Sequence, residues 1–205
     1  MALNPTVGTL EIPPIEIRTI KVTVTGDSPL IMHRWSEKAR QQMRDKQMGK
    51  PTNKKDFKDP EADTREAMYR LPDGNPGFPV IAFKACAVDA ATQLSGLTKV
   101  FLRGAFHIIG EPTPDGQLVP IVGPPVMRED MVRIGMGTAD IRYRPEFWPW
   151  EADLVVRYNA KSLSLEQIVH LFNQGGFSVG VGEWRPQKDG QYGMFAVSCV
   201  EEIIP

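Results

Sequence analysis

Read for alternation of apolar and polar positions, the chain divides into strands and helices separated by two long stretches with neither period. Residues 15–25, IEIRTIKVTVT, alternate with one slip near Thr19, which predicts a strand with a bulge at that point. Gly26-Asp27-Ser28-Pro29 ends it as a turn. Residues 36–47, SEKARQQMRDKQ, favour helix, but Ala39 and Met43 are nearly their only apolar members. Such a helix is solvated, or orders on a partner. Residues 49–58 have no period and read as a loop. Asp59-Pro60 then supplies a cap and a first-turn proline for a short helix in EADTREAMYRL, closed by PDGNPGFP.

VIAFKACAVDAATQLSG places Ile81, Ala85, Val88 and Ala91 or Thr92 at helical spacing, a buried helix ending near Gly96. KVFLRGAFHII (99–109) reads as a strand interrupted by Gly104. Residues 110–148 are rich in proline and glycine, with extended pieces at LVPIV, MVRIG and ADIRYR. WEADLVVRYN (150–159) is another strand. In SLSLEQIVHLFNQGG, Ser164 and Gln167 form a capping box, and Leu165, Ile168, Val169 and Phe172 make the apolar face. Gly175 stands where a C-cap glycine is expected. After a glycine-rich loop, GMFAVSCVEEII (193–204) is the final strand.

The order strand, helix, strand, strand, helix, strand predicts an α+β fold: a ferredoxin-like or RRM-like βαββαβ antiparallel sheet with two helices on one face. We expect one domain over residues 1–205 with two insertions, 26–79 (a basic arm and short helices) and 110–148. Loops this long in a compact domain usually bind something.

Composition narrows the function classes. With 205 residues, 41% of them hydrophobic, the chain can bury one core. No apolar run approaches the ~18–20 residues that span a bilayer, and the N-terminus lacks a secretory pattern. A cytoplasmic protein without a membrane partner is expected. Cys86 and Cys199 lie in apolar stretches and read as reduced core thiols. They are too few for a zinc site, and His33, His107 and His170 show no metal-ligand spacing, so neither metal nor cofactor is expected.

A net charge of −1 excludes a globally basic nucleic-acid coat, but the charge is unevenly spread. Arg34, Lys38, Arg40, Arg44, Lys46, Lys50, Lys54, Lys55 and Lys58 are opposed only by Glu37, Asp45 and Asp56 within the same stretch. This reads either as a solvated loop or as a cationic arm tracking phosphates. In ADIRYRPEFWPW, Arg142 and Arg144 flank Tyr143, and Phe147, Trp148 and Trp150 follow. Aromatic planes stack unpaired bases while guanidinium groups hold phosphates, so the segment suits a single strand. Core or interface aromatics with arginines on the opposite face are the plainer alternative. In GGFSVGVGEWRPQKDGQYG, Gly180 and Gly182 let a backbone approach a ligand and present amides to an anion, with Trp184 and Arg185 beside them. The loop is neither a P-loop nor a dinucleotide fingerprint, and a simple connection with a Lys188-Asp189-Gly190 turn also accounts for it. No local catalytic set stands out. His33, His107 or His170 could act as an acid or base.

The order of elements, the segment GFPVIAFKACAVDAA and the loop GGFSVGVGEWRPQKDGQYGMF together resemble the RAMP superfamily, RNA-binding proteins that include the backbone subunits of CRISPR effector complexes. The run GVGEWRP also resembles a compact group of phage and prophage proteins. The RAMP resemblance implies nucleic-acid contacts at Pro79–Ala91, with Lys84, and at Gly176–Gly193, with Arg185. It also implies assembly along a strand, with the insertions as thumb-like elements between neighbours.

The expectation is a non-enzymatic, phage- or mobile-element-encoded protein that binds single-stranded DNA or RNA and oligomerises along it as a helix or filament. Lys38, Arg40, Arg44, Lys46, Lys50, Lys54, Lys55, Lys84, Arg142, Arg144 and Arg185 would hold phosphates, and Tyr143 and Trp184 would stack bases. Gly180 and Gly182 would admit the backbone. The alternatives are a viral assembly protein whose insertions clasp neighbours, a RAMP-type endoribonuclease using His33, and an inhibitor of a CRISPR effector.

Overall fold

The computed structural model describes residues 14–50, 58–94, 96–134 and 137–204. The fold is mixed α and β, with three antiparallel sheets. The largest sheet contains strands β1 (Ile17–Gly26), β4 (Phe106–Ile109), β9 (Glu151–Asn159) and β10 (Phe195–Glu202) in the order β10-β1-β9-β4. Helix α3 (Val80–Ala90) precedes β4, and helix α5 (Leu165–Ser178) joins β9 to β10. The period-two pattern explains the sheet's two faces. Ile20, Val22 and Val24 of β1, with Ala152, Leu154 and Val156 of β9, are all buried, as are Phe83 of α3 and Ile168 and Phe172 of α5. These residues belong to one hydrophobic cluster.

The first insertion contains β2 (Leu30–Ile31), α1 (Glu37–Gln47) and α2 (Pro60–Glu66). Ser36 caps α1, and Asp59 with Pro60 opens α2 as the sequence predicts. Neither helix buries a residue. The second insertion supplies β5 (Glu111–Thr113), β6 (Gly116–Pro120) and a long hairpin of β7 (Pro125–Ile134) and β8 (Thr138–Phe147). β2 pairs with β8, and β3 (Gly77–Pro79) pairs with β6.

Several local expectations are corrected. The slip at Thr19 is not a bulge: Arg18, Thr19 and Ile20 pair in unbroken register with Tyr158, Arg157 and Val156. Ile15 and Ile17 are simply exposed, and the irregularity lies between Thr23 and Val24, where Ser198 of β10 is the extra residue. Residues 99–105 form a helix, α4 (Lys99–Ala105), rather than the start of a strand. Thr98 caps it, and Leu102 and Ala105, three apart, are buried while Val100 and Phe101 are exposed. In α3 the buried residues are Val80, Phe83, Cys86, Ala87, Val88 and Ala90, so Val88, and Ala91 just beyond the helix, are core as expected, whereas Ala85 is exposed and Ile81 is 65% exposed. Cys86 is buried, and burial pushes its thiol up to about 12. Cys199, in contrast, is exposed on β10 opposite Thr23.

Gly175 does not end α5. The helix continues to Ser178, and Gly175 and Gly176 are interior glycines where the helix meets α3 and β10. A Cβ on Gly176 would lie 1.9 Å from the Phe195 carbonyl oxygen, a separation no side chain can occupy. The left-handed glycine after the helix is Gly180, at φ +68°.

Candidate nucleic-acid interface

Three of the stretches singled out from sequence meet where the first insertion leaves β2. The seam is built from charge. Asp115, in the β5–β6 turn, accepts hydrogen bonds from Arg34 Nε at 2.6 Å and Arg40 Nη2 at 2.7 Å. Burial works against its ionisation, but the two guanidinium groups outweigh it and hold the carboxyl below its usual range. On the other side of the insertion Lys58 donates to Asp140 at 2.5 Å and to the Ile141 carbonyl. Asp140 also pairs with Arg142 at 3.0 Å, and the Lys58 bond leads in keeping its carboxyl below its usual range.

Between these clamps lies a cleft of about 450 Å³. The segment after β2 contributes His33, Arg34 and Trp35, and α2 contributes Asp63 and Glu66. β8 contributes Arg142 and Tyr143, so the basic insertion and the predicted aromatic segment do come together. Trp35 is half exposed and carries the Arg40 guanidinium 5.6 Å from its ring centre. Desolvation, then the nearby Glu129 carboxylate, raise the Tyr143 hydroxyl above its usual range.

Below the cleft the glycine-rich loop joins the same seam. His33 Nδ1 stands 3.4 Å from a Glu183 oxygen and 3.4 Å from Arg144 Nη2. The His33 bond, with Arg144 and Arg185 nearby, keeps the Glu183 carboxyl below its usual range. Arg144 is buried and pairs with Asp130 at 3.2 Å, and Asp130 also pairs with Arg128 at 2.8 Å. Arg128 in turn lies over the Tyr192 ring. Arg144 is therefore a bolt between hairpin and loop, and not the exposed phosphate contact its sequence context suggests.

The loop residues likewise serve their own chain. The amides of Gly180, Val181 and Glu183 donate to the carbonyls of Gly175, Gly193 and Ile31. A Cβ on Gly182 would lie 2.6 Å from the Ile31 carbonyl oxygen, so the space the glycine leaves is taken by β2. Arg185 donates to the Gly182 carbonyl and to Gln187. Trp184 is 40% exposed and adopts a left-handed φ of 54°.

Lys38, Arg44, Lys46 and Lys50 lie on or just after α1 and are exposed, while Arg40 is tied to Asp115. Lys54 and Lys55 lie outside the described residues. Lys84 stands apart from the cleft. It reaches from α3 to the Arg103 carbonyl at 2.9 Å and to His107 Nδ1 at 3.3 Å, and burial lowers its ammonium below the usual range. The outward face of the four-stranded sheet bears Thr19, Lys21 and Thr23 of β1 opposite Arg157, Val155 and Asp153 of β9. No Phe, Tyr or Trp points outward there among the described residues, so it is not an RRM-type stacking platform. Sequence reading missed Trp35, an isolated aromatic in LIMHRW whose only signal is its place beside the basic run.

Among the described residues no cluster of three or more His, Cys, Asp or Glu is placed to hold a metal ion. None of their helices is long and apolar enough to cross a membrane. No family model matches the chain, and no curated protein matches it. Among solved structures it is similar to Cmr6 from Pyrococcus furiosus, 12% identical over 90% of this chain and 100% of that one, at a TM-score of 0.43. It is also similar to a chain in the structure of the Type III-B Cmr-beta bound to cognate target RNA. That match is 9% identical over 91% of this chain and 61% of that one, at a TM-score of 0.46. Residue roles therefore rest on this chain's own geometry.

Proposed function

We propose that this chain is a non-enzymatic binder of single-stranded nucleic acid that assembles side by side along the strand. In this reading it is one domain, a ferredoxin-like core of the RAMP type carrying two functional insertions. The observation that carries the reading is the cleft where Trp35 and Tyr143 meet Arg34, Lys58 and Arg142 at the root of a helix bearing exposed Lys38, Arg44, Lys46 and Lys50. Aromatic surface for bases beside cations for phosphates is the combination a flexible single strand requires. Arg144, Gly180 and Gly182 hold hairpin and loop in place and do not touch the strand. Trp184 is a second stacking surface. Side-by-side assembly draws support from the exposed apolar side chains of the hairpin, Val126, Met127, Met131 and Ile141.

Fluorescence anisotropy with single-stranded RNA, single-stranded DNA and duplex DNA at two salt concentrations, with light scattering on the same samples, tests the reading. Salt-sensitive binding to a single strand, with growth into large particles, is expected. Replacing Lys46, Lys50, Lys54 and Lys55 by Ala should flatten the salt dependence, each lost phosphate contact lowering the slope by about 0.7 on a logarithmic scale. Absence of binding at low salt would refute the proposal.

A further inference from the structure

Each cation of the cleft also holds a carboxylate of this chain, Arg142 through its Nε alone. Lys58 and Arg142 share Asp140, and Arg34 is held by Asp115 with Glu37 at 3.7 Å. Asp63 and Glu66 differ. They lie three residues apart on one face of α2 and line the cleft, and their side chains make no hydrogen bond or ion pair among the described residues. The cleft therefore offers a ligand free carboxylate acceptors as well as guanidinium donors, set beside the two aromatic side chains.

Resting on the nucleic-acid reading, we propose that the cleft selects one unstacked base by its Watson–Crick edge, and that the base it selects is guanine. A carboxylate accepts two parallel hydrogen bonds from adjacent N–H donors. Guanine alone among the bases offers such a pair, its N1–H and N2–H₂. Adenine and cytosine place a ring-nitrogen acceptor beside their amino group, and uracil and thymine flank one N–H with two carbonyls, so each sets a lone pair against the carboxylate. The O6 and N7 acceptors of guanine would then face the side of the cleft carrying Lys58 and Arg142, while Trp35 and Tyr143 supply stacking surface. The backbone phosphates remain outside, toward the exposed cations of α1. A cationic peptide could also use carboxylates and aromatics, but it would meet Arg34, Lys58 and Arg142 at close range.

The test is anisotropy titration of the full chain with short labelled strands, each made as RNA and as DNA. One strand is all pyrimidine (uridine in RNA, thymidine in DNA), a second carries isolated guanosines, and a third has inosine in their place, which lacks the N2 donors. Guanosine strands should bind about tenfold tighter than the all-pyrimidine strand, with inosine between them. Asp63→Asn and Glu66→Gln together should reduce that ratio to near one. Both residues are on a helix that buries nothing, and a thermal melt checks that the variant folds. Equal affinity for all three strands would overturn the guanine assignment and leave the nucleic-acid reading standing. A preference that survives the double substitution would also overturn it. Failure of every strand to bind would remove the nucleic-acid reading, and the guanine assignment with it.

Discussion

Between the inner face of the four-stranded sheet and the seam where the first insertion meets β8 and the β5–β6 turn, the kind of bond changes. Beneath the sheet, Phe83, Phe106, Phe172 and Phe195 are fully buried, and the pairs Phe83–Phe195 and Phe106–Phe172 pack edge to face. At the seam, α1 and α2 bury nothing, and the attachments are Arg34 and Arg40 to Asp115 and Lys58 to Asp140. Apolar burial depends little on salt or on moderate pH, whereas ion pairs depend on both. The molecule thus joins a scaffold indifferent to its ionic surroundings to an insertion whose attachment responds to them.

The largest effect should come from the scaffold. Phe83→Ala removes a fully buried ring, and a loss of about 4 kcal/mol is expected in urea unfolding, nearly the same at low and high salt. A loss that shrinks in salt would mean that charge stabilises the scaffold too, and the contrast would fail.

Asp115→Asn should act on the other side of the comparison. It takes the charge from a carboxylate serving two arginines, at a cost of about 2 kcal/mol in the local stability of α1, read by amide exchange across that helix. The pH dependence has a definite sign. The arginines lower the folded-state pKa of Asp115, so its contribution is present above the unfolded value, about pH 4, and is lost as pH falls through the folded value. The gap between wild type and variant should therefore be full at neutral pH and close below about pH 4. Exchange in β1 should be unmoved by the substitution. Equal acceleration in α1 and β1 would show that the seam is part of the global unfolding unit.

The same division governs what the sequence made legible. Alternation in β1 and β9 and the capping box of Ser164 and Gln167 are written within a few residues, and the structure repeats them. The seam is not local. Asp115 lies 81 residues from Arg34 and 75 from Arg40, and nothing in the turn Pro114-Asp115-Gly116 points to them. The cations were visible as a cluster, but not which of them were already paired. Reading every arginine of ADIRYR as a ligand contact thus placed Arg144 at the surface, where Asp130 and Glu183 in fact hold it inside. Cys199 failed for another reason. Its apolar neighbours lie on both faces of β10, and only the pairing of Thr23 with Cys199 shows which side it faces.

The smallest effect decides an element where pattern misled. Val100, Phe101 and Leu102 suggest a strand by β-propensity, yet 99–105 is helical because burial of Leu102 and Ala105 and the Thr98 cap outweigh that preference. Gly104 is exposed in α4, with nothing within 4 Å of where a Cβ would stand. Ala at this position should stabilise the protein by about 0.5–1 kcal/mol, since glycine is the costlier residue in a helix interior. That gain alone does not separate helix from strand, because glycine weakens both. The ordering of Gly104→Ala and Gly104→Val does. A helix favours Ala over Val by about 0.5 kcal/mol through the χ1 freedom that Val loses, whereas a strand favours Val. Thermal melts that place Gly104→Val above Gly104→Ala would return residues 99–105 to the sheet. They would also enlarge the indifferent scaffold at the expense of its helical margin.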